Sequence, residues 1–386
     1  MYKIMTAGPT QVHESVRRAR SLETTNPDLD PNFAEFYKET CDILQELLHS
    51  SGTAYILGGE GILGLEAACA SLTDPGDRVL VIDNGIFGKG FADFVTMYGG
   101  EAVLYTCDYR RPVDPAALKE FLDKDSDFKY ATVVHCDTPS GILNDLSKIC
   151  PLLAEYGILT VADSVAGMFG EYLNVNECQI DILCGGSQKA LSAPPGLSMV
   201  WVSDKAMEAM ESRKTPVASF YANLLTFKTY YEDKWFPYTM PISDIIGLRE
   251  ALDRVRADKD ILARHERIAS ATRSAVKASG LSMYPVDGFS NTVTVIEVPD
   301  GLTDSRILGT MRDKYGIMLS GCFDVLAGKV FRIGHMGENA NLEDMTAVME
   351  ALDGTFADLG YTLKCSLKEA FIEAYEAVPD RQDVSI

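Results

Sequence analysis

Seven short apolar runs, separated by stretches long enough for a helix, fill the chain between residues 53 and 202, and this alternation restricts it to a sheet flanked by helices. The runs are Thr53–Leu57, Arg78–Ile82, Glu101–Tyr105, Ala131–His135, Ile158–Ala162, Asp181–Cys184 and Ser198–Val202. They are short and mostly apolar, as strands buried on both faces are. An α/β fold with a seven-stranded, mainly parallel sheet is therefore expected. Helical patterns lie between the runs: one after Gly64, one over Phe87–Gly99, one over Pro115–Asp123 with Asp114 as N-cap, and one over Leu146–Tyr156 closed by Gly157.

From Ile242 the rhythm changes. Apolar residues recur at helical spacing for almost forty residues, too many for one ordinary helix, so two helices are predicted, the second leaving the large sheet. A strand (Thr292–Val298), a helix (Ser305–Tyr315), a strand around Lys329–Ile333 and a helix from Asn341 toward Leu359 then describe a smaller α/β domain. The expected boundaries are 16–258 for the large domain and 259–386, with 1–15, for the small one. Pro379–Ile386 is expected to be a frayed tail.

Charge narrows the partners. Thirty-five Lys and Arg against fifty-six Asp and Glu give a net charge of −21, which repels phosphate backbones and anionic lipids. Nucleic acid and membrane surfaces are thus poor partners, and any anionic small molecule needs a locally positive pocket. Nine cysteines, an odd number without a CxxC, imply a reduced chain. With no signal-peptide core and no apolar run of about 18 residues, a cytoplasmic protein is expected. No two of the five histidines are spaced i, i+4, so no metal site is expected.

Ligands of open α/β sheets bind beyond the carboxyl ends of the strands. The segments there are LGGEGILG, DNGIFGKGF, HCDTPSG, ADSVAG and CGGSQKALSAPPG. Asp163 directly follows one strand, and Lys189 lies 26 residues on, in the loop after the next. A lysine and a carboxylate from neighbouring strand ends are what pyridoxal chemistry requires: the amine condenses with the cofactor aldehyde, and the buried carboxylate keeps the pyridine nitrogen protonated. Taken singly, Lys189 reads as a solvated charge, Asp163 as a helix cap, Phe87 as core and Arg332 as half of an ion pair.

AGPT, PGDRVLV, NGIFG, DTPSG, VADSVAG, GSQKALSAPPG and FRIGHMG together resemble the class V, fold type I, pyridoxal-phosphate aminotransferases of the alanine–glyoxylate kind, over nearly the whole chain. The resemblance implies that Lys189 holds pyridoxal 5′-phosphate, that Asp163 partners the pyridine nitrogen, and that Val165 and Phe87 pack on the two ring faces. It makes Thr138, Ser187 and Gln188 cofactor contacts and gives Gly59, Glu60 and Gly61 the phosphate cup. Thr239 becomes a phosphate contact across a homodimer interface. Arg332, with Gly8 on the substrate side, would grip the substrate carboxylate, a bidentate task suited to arginine. The implied activity is ping-pong transamination between a small, alanine-like amino acid and a 2-oxo acid, glyoxylate or pyruvate.

Glu60 departs from that pattern. A helix N-terminus is an anion site, and a carboxylate about 5 Å from a phosphate dianion at an effective dielectric of ~20 costs on the order of 7 kcal/mol before compensation. Glu60 turns outward, is protonated or paired, or marks a cup that holds no phosphate. The last option is similar to the pyridoxamine–pyruvate aminotransferases, which use unphosphorylated pyridoxamine as a substrate, although Phe323 stands where they carry a second arginine. An acid at a helix start is also simply stabilising. A cysteine desulfurase is a further alternative, since Cys322 precedes Arg332 by ten residues, but Phe87 and Gln188 stand where those enzymes place histidines.

Overall fold

The computed structural model describes residues 2–377, so the expected tail at 379–386 lies outside the described residues. All seven sheet strands form: β1 (Thr53–Gly58), β2 (Arg78–Asp83), β3 (Glu101–Thr106), β4 (Tyr130–Val134), β5 (Leu159–Asp163), β6 (Ile182–Gly186) and β7 (Leu197–Val202). Their order across the sheet is β1-β7-β6-β5-β4-β2-β3, with β7 antiparallel to both neighbours and the remaining pairs parallel. One expectation fails in detail. β3 is an edge strand with no fully buried residue, since among the described residues no strand covers its outer side.

Local chemistry explains the helix limits. Asp114 accepts a hydrogen bond from Ala116 N and starts the helix Pro115–Leu122. The helix Leu146–Glu155 ends at Tyr156, so Gly157, at φ +73°, is the residue just past its cap. α1 (Gly61–Leu72) follows β1 and α2 (Ile86–Met97) follows β2. The long periodic stretch divides into α3 (Ile242–Ala257) and α4 (Ile261–Ala278), parted where the Asp258 carboxylate turns back to pair with Arg264 at 2.6 Å.

A helix over Pro31–Leu47 was not foreseen. Asp30 caps it through Asn32 N, Pro31 occupies the first turn, and Phe33, Tyr37, Cys41 and Leu44 form the buried stripe. Its Tyr37 hydroxyl docks it on β1, donating to Ile56 O at 2.9 Å and accepting from Ile56 N at 2.7 Å.

Buried side chains form two clusters. The larger surrounds the seven-stranded sheet, and the smaller gathers Ile268, Ala271, Ile296, Phe331, Met345, Leu352 and Phe371. The second is built on β8 (Val293–Glu297) and β9 (Val330–Gly334), an antiparallel pair that sets Val295 opposite Arg332. Residues Lys3–Ile4 run parallel to Ile317–Met318, which brings the N-terminal segment alongside this second layer. Glu171, 5% exposed, pins the layers together by accepting hydrogen bonds from the Ser290 hydroxyl (2.8 Å), Asn291 Nδ2 (3.2 Å) and Asn291 N. Burial pushes its carboxyl up to about 7. His335 is also bound internally, to the Thr294 hydroxyl and Asn291 O.

Candidate active site

A cavity of about 280 Å³ opens at the carboxyl ends of the central strands. Asp163, Val165, Lys189, Gln188, Phe87, Thr138, Glu60 and Gly8 all line it. All but Gly8, which comes from the N-terminal segment, arrive from five strand ends of the sheet, because parallel strands deliver their loops to one edge.

Asp163 ends β5 and is 5% exposed. Its Oδ1 accepts the Val165 N–H at 2.8 Å, while burial pushes the carboxyl up to about 7. Lys189 reaches in from the loop after β6 and donates to Ala7 O at 2.7 Å. Burial first, and then the charge of Arg332, lower its pKa. Lys189 and Asp163 feel each other's charge, yet no ion pair joins them among the described residues. Both line the same cavity, so a pyridoxal-type ring held there could be bound through Lys189 and Asp163. Gly8, at φ +109°, permits the approach, since a Cβ there would lie 2.5 Å from Lys189 Nζ. Val165 sits in a niche of small residues, where a Cβ on Gly61 or Gly186 would come within 3.0 or 3.1 Å of its methyl groups. These groups fit a pyridoxal-type ring.

Glu60, although exposed, is paired. It is the N-cap of α1, its Oε2 accepting from Ile62 N at 3.0 Å, and its Oε1 takes a hydrogen bond from Gln188 Nε2. The carboxylate thus occupies the Ile62 N–H, one of the donors that an anion at this helix start would use. Gln188 Oε1 is buried without a partner, so the cup offers acceptors.

Arg332 lies on β9 beside the cavity, 8% exposed, its Nε donating to Gly321 O at 2.8 Å. Among the described residues no carboxylate comes within ion-pair distance of it. Burial lowers its pKa, and the nearby Cys322 and Asp137 oppose that shift only in part.

Several expected residues stand outside this cavity. The Ser187 hydroxyl donates to Pro194 O at 2.7 Å and accepts from Leu197 N, bracing the lysine loop. Gly59 O accepts the Ser198 hydroxyl. Thr239 is bound to Asp28 at 2.7 Å. Cys322 is half-buried near Pro139 O, and burial raises its thiol pKa, the reverse of an activated nucleophile. Sequence reasoning missed Pro9, Ile62, Leu65, Cys136, Ala166 and Pro195 in the cavity wall. All but Leu65, which directly follows LGGEGILG, lie inside motifs already singled out, and that membership was the only signal. Among the described residues no cluster of His, Cys, Asp or Glu suits a metal, and no helix is long and apolar enough to cross a membrane.

The aminotransferase class-V family profile matches residues 31–325. The chain belongs to that family. An uncharacterised aminotransferase of Methanocaldococcus jannaschii is 35% identical over 365 residues, 94% of either chain. The pyridoxamine–pyruvate transaminase of Mesorhizobium japonicum is 34% identical over 364 residues, covering 93% of this chain and 92% of that one. Among solved structures, the pyridoxamine–pyruvate aminotransferase of Mesorhizobium loti superposes with a TM-score of 0.92 at 33% identity over 97% of both chains. The seven-stranded, mostly parallel sheet of this aminotransferase is therefore that of fold type I.

Proposed function

We propose that this aminotransferase moves an amino group between a small amino donor and a 2-oxo acid of pyruvate or glyoxylate size, using a pyridoxal-type ring held at Lys189 and Asp163. The observation that carries the reading is the pair of Lys189 and Asp163 on one cavity, held apart by more than ion-pair distance, with the charge of the buried Arg332, which has no ion-pair partner among the described residues, acting on Lys189. When bound, the ring supplies an aldehyde and an electron sink. Lys189, its pKa lowered by burial, keeps more of its amine neutral than a surface lysine and so serves as nucleophile and proton carrier. Its Nζ, anchored at Ala7 O, would take the proton from the substrate carbon that bears the amine and deliver it to the cofactor carbon that receives that amine. Asp163, one oxygen engaged by Val165 N–H, offers the other to the ring nitrogen and holds a proton there. Arg332, oriented by Gly321 O, receives the substrate carboxylate. Two half-reactions at one site give ping-pong kinetics.

A specific observation favours a second reading for the donor. With Glu60 capping α1 and engaging Gln188, and with Gln188 Oε1 unpartnered, the cup suits a neutral hydroxymethyl group better than a phosphate. The donor is then free pyridoxamine and the acceptor pyruvate or a close analogue. Mass spectrometry of the small molecule released from purified protein, followed by an assay of pyridoxamine with pyruvate, tests this. Stoichiometric pyridoxal phosphate with no turnover of free pyridoxamine would remove the second reading and leave an alanine-like donor; loss of turnover in Lys189→Ala supports both, and its retention would sink both.

We place the large domain at 16–258 and the small one at 259–386 with 1–15. A homodimer is supported by the exposed aromatics Phe220, Tyr221 and Trp235 near Thr239, whose implied role is a contact to the partner's site. A reducing, cytoplasmic setting agrees with nine free cysteines.

A further inference from the structure

Asp137 has no role in the chemistry above, yet it is a carboxylate only 1% exposed, just after β4 in the short pair Cys136–Asp137 with Ile142–Leu143. Burying such a group costs several kcal/mol unless donors surround it. Three do. Ser140 N–H and the Ser140 hydroxyl reach Oδ2 at 3.1 and 2.6 Å, and Phe87 N–H reaches Oδ1 at 3.3 Å.

The third contact is the unusual one. Helix α2 starts after Gly85, which has no side chain with which to cap it. Phe87 is the second residue of α2, and its N–H is one that a capping side chain ordinarily takes. Asp137 therefore supplies from another strand the acceptor that Gly85 lacks. Gly85 is itself required for this, because a Cβ there would fall 2.5 Å from the Asp137 carboxyl carbon. The NGIFG and DTPSG segments, which the sequence presents as two separate motifs, are thus the two halves of one contact.

We propose that Asp137 is a positioning residue that caps α2 across the sheet and thereby fixes the Phe87 ring against the cavity where the pyridoxal-type ring is held. It rests on the reading in which Phe87 covers that ring. If Asp137 served only to fold the 137–141 turn through Ser140, its loss would act independently of Phe87; acting through Phe87, it cannot.

The test is a double-mutant cycle read by binding of pyridoxine, which carries no aldehyde for Lys189 to attack. Calorimetry on wild type, D137A, F87A and D137A/F87A is expected to give losses of affinity in the two single variants that agree within about threefold, and no more than threefold further loss in the double variant. D137N keeps an acceptor for Phe87 N–H and is expected to restore most of the affinity. Hydrogen exchange, read without ligand, is expected to quicken at least tenfold in the first turn of α2 in D137A and to stay near wild type in D137N. Multiplicative losses in the double variant, or unchanged exchange in D137A, would overturn the proposal. Pyridoxine binding unaffected by F87A would instead refute the placement of Phe87 on the ring, whatever the exchange shows. If D137A does not fold, Asp137→Ser replaces it, its hydroxyl within reach of Ser140 but too short for Phe87.

Discussion

Replacing Glu60 by glutamine tests the cup most directly. An anion seated on the first-turn N–H groups of α1 would lie about 5 Å from the Glu60 carboxylate. Glu60 is exposed toward the mouth, so an effective dielectric between ~40 and ~80 is appropriate, and a dianion then meets about 2–3 kcal/mol of repulsion. At 1.4 kcal/mol per decade, removing it should improve the affinity for pyridoxal phosphate relative to pyridoxal by roughly 30- to 150-fold. Glu60→Gln retains a hydrogen-bonding tip for Gln188 and changes the chain's charge by one, so the fold should persist. The assay is competition between the two vitamers for the lysine, followed by visible absorbance across a titration at fixed pH, with the ionic strength varied. The preference should shrink as salt rises. A ratio that stays within threefold of wild type would show that Glu60 does not govern the phosphate and would refute the electrostatic account of the cup.

Arg332→Lys should raise KM for the 2-oxo acid at least tenfold with a smaller change in kcat, measured by steady-state kinetics, because an ammonium cannot make the bidentate contact that Gly321 O orients. Glu171 takes up a proton on folding between pH 4.5, its ordinary value, and about 7, so its contribution to stability is full below pH 4.5 and is lost as the pH rises through 7. Urea denaturation at pH 5 and pH 8 should accordingly show the stability of wild type relative to Glu171→Gln falling by about 3 kcal/mol, and a constant difference would contradict it. Cys322→Ser should leave transamination within twofold of wild type and release no sulfide from cysteine; loss of a sulfide-releasing activity on this change would restore the desulfurase alternative.

Much of the fold could be read from the sequence because strands buried on both faces leave continuous apolar runs, as β2, β4 and β6 do. The helix over Pro31–Leu47 escaped notice although Asp30 and Pro31 are ordinary start signals, since its apolar positions are interrupted by charged residues on the outer face. In the site, Asp163 and Lys189 were legible from strand spacing, because a strand end in a parallel sheet is also a place in the crevice. Phe87 was legible only through family likeness: a phenylalanine in a helix looks the same whether it covers a ligand or a core. The setting of Glu60 could not be read at all. A carboxylate at a helix start turns toward its own N–H groups or toward solvent according to what faces it, and here Gln188, 128 residues away, decides.

The first ten residues tie the site together more closely than their position suggests. Lys3 and Ile4 pair with Ile317 and Met318, Met5 O accepts from Gly334 N just after Arg332, Ala7 O holds Lys189 Nζ, and Thr10 N donates to Gln188 O. This strap therefore touches the lysine, the loop bearing the cup's glutamine and the strand bearing the arginine. Trimming it would loosen all three together.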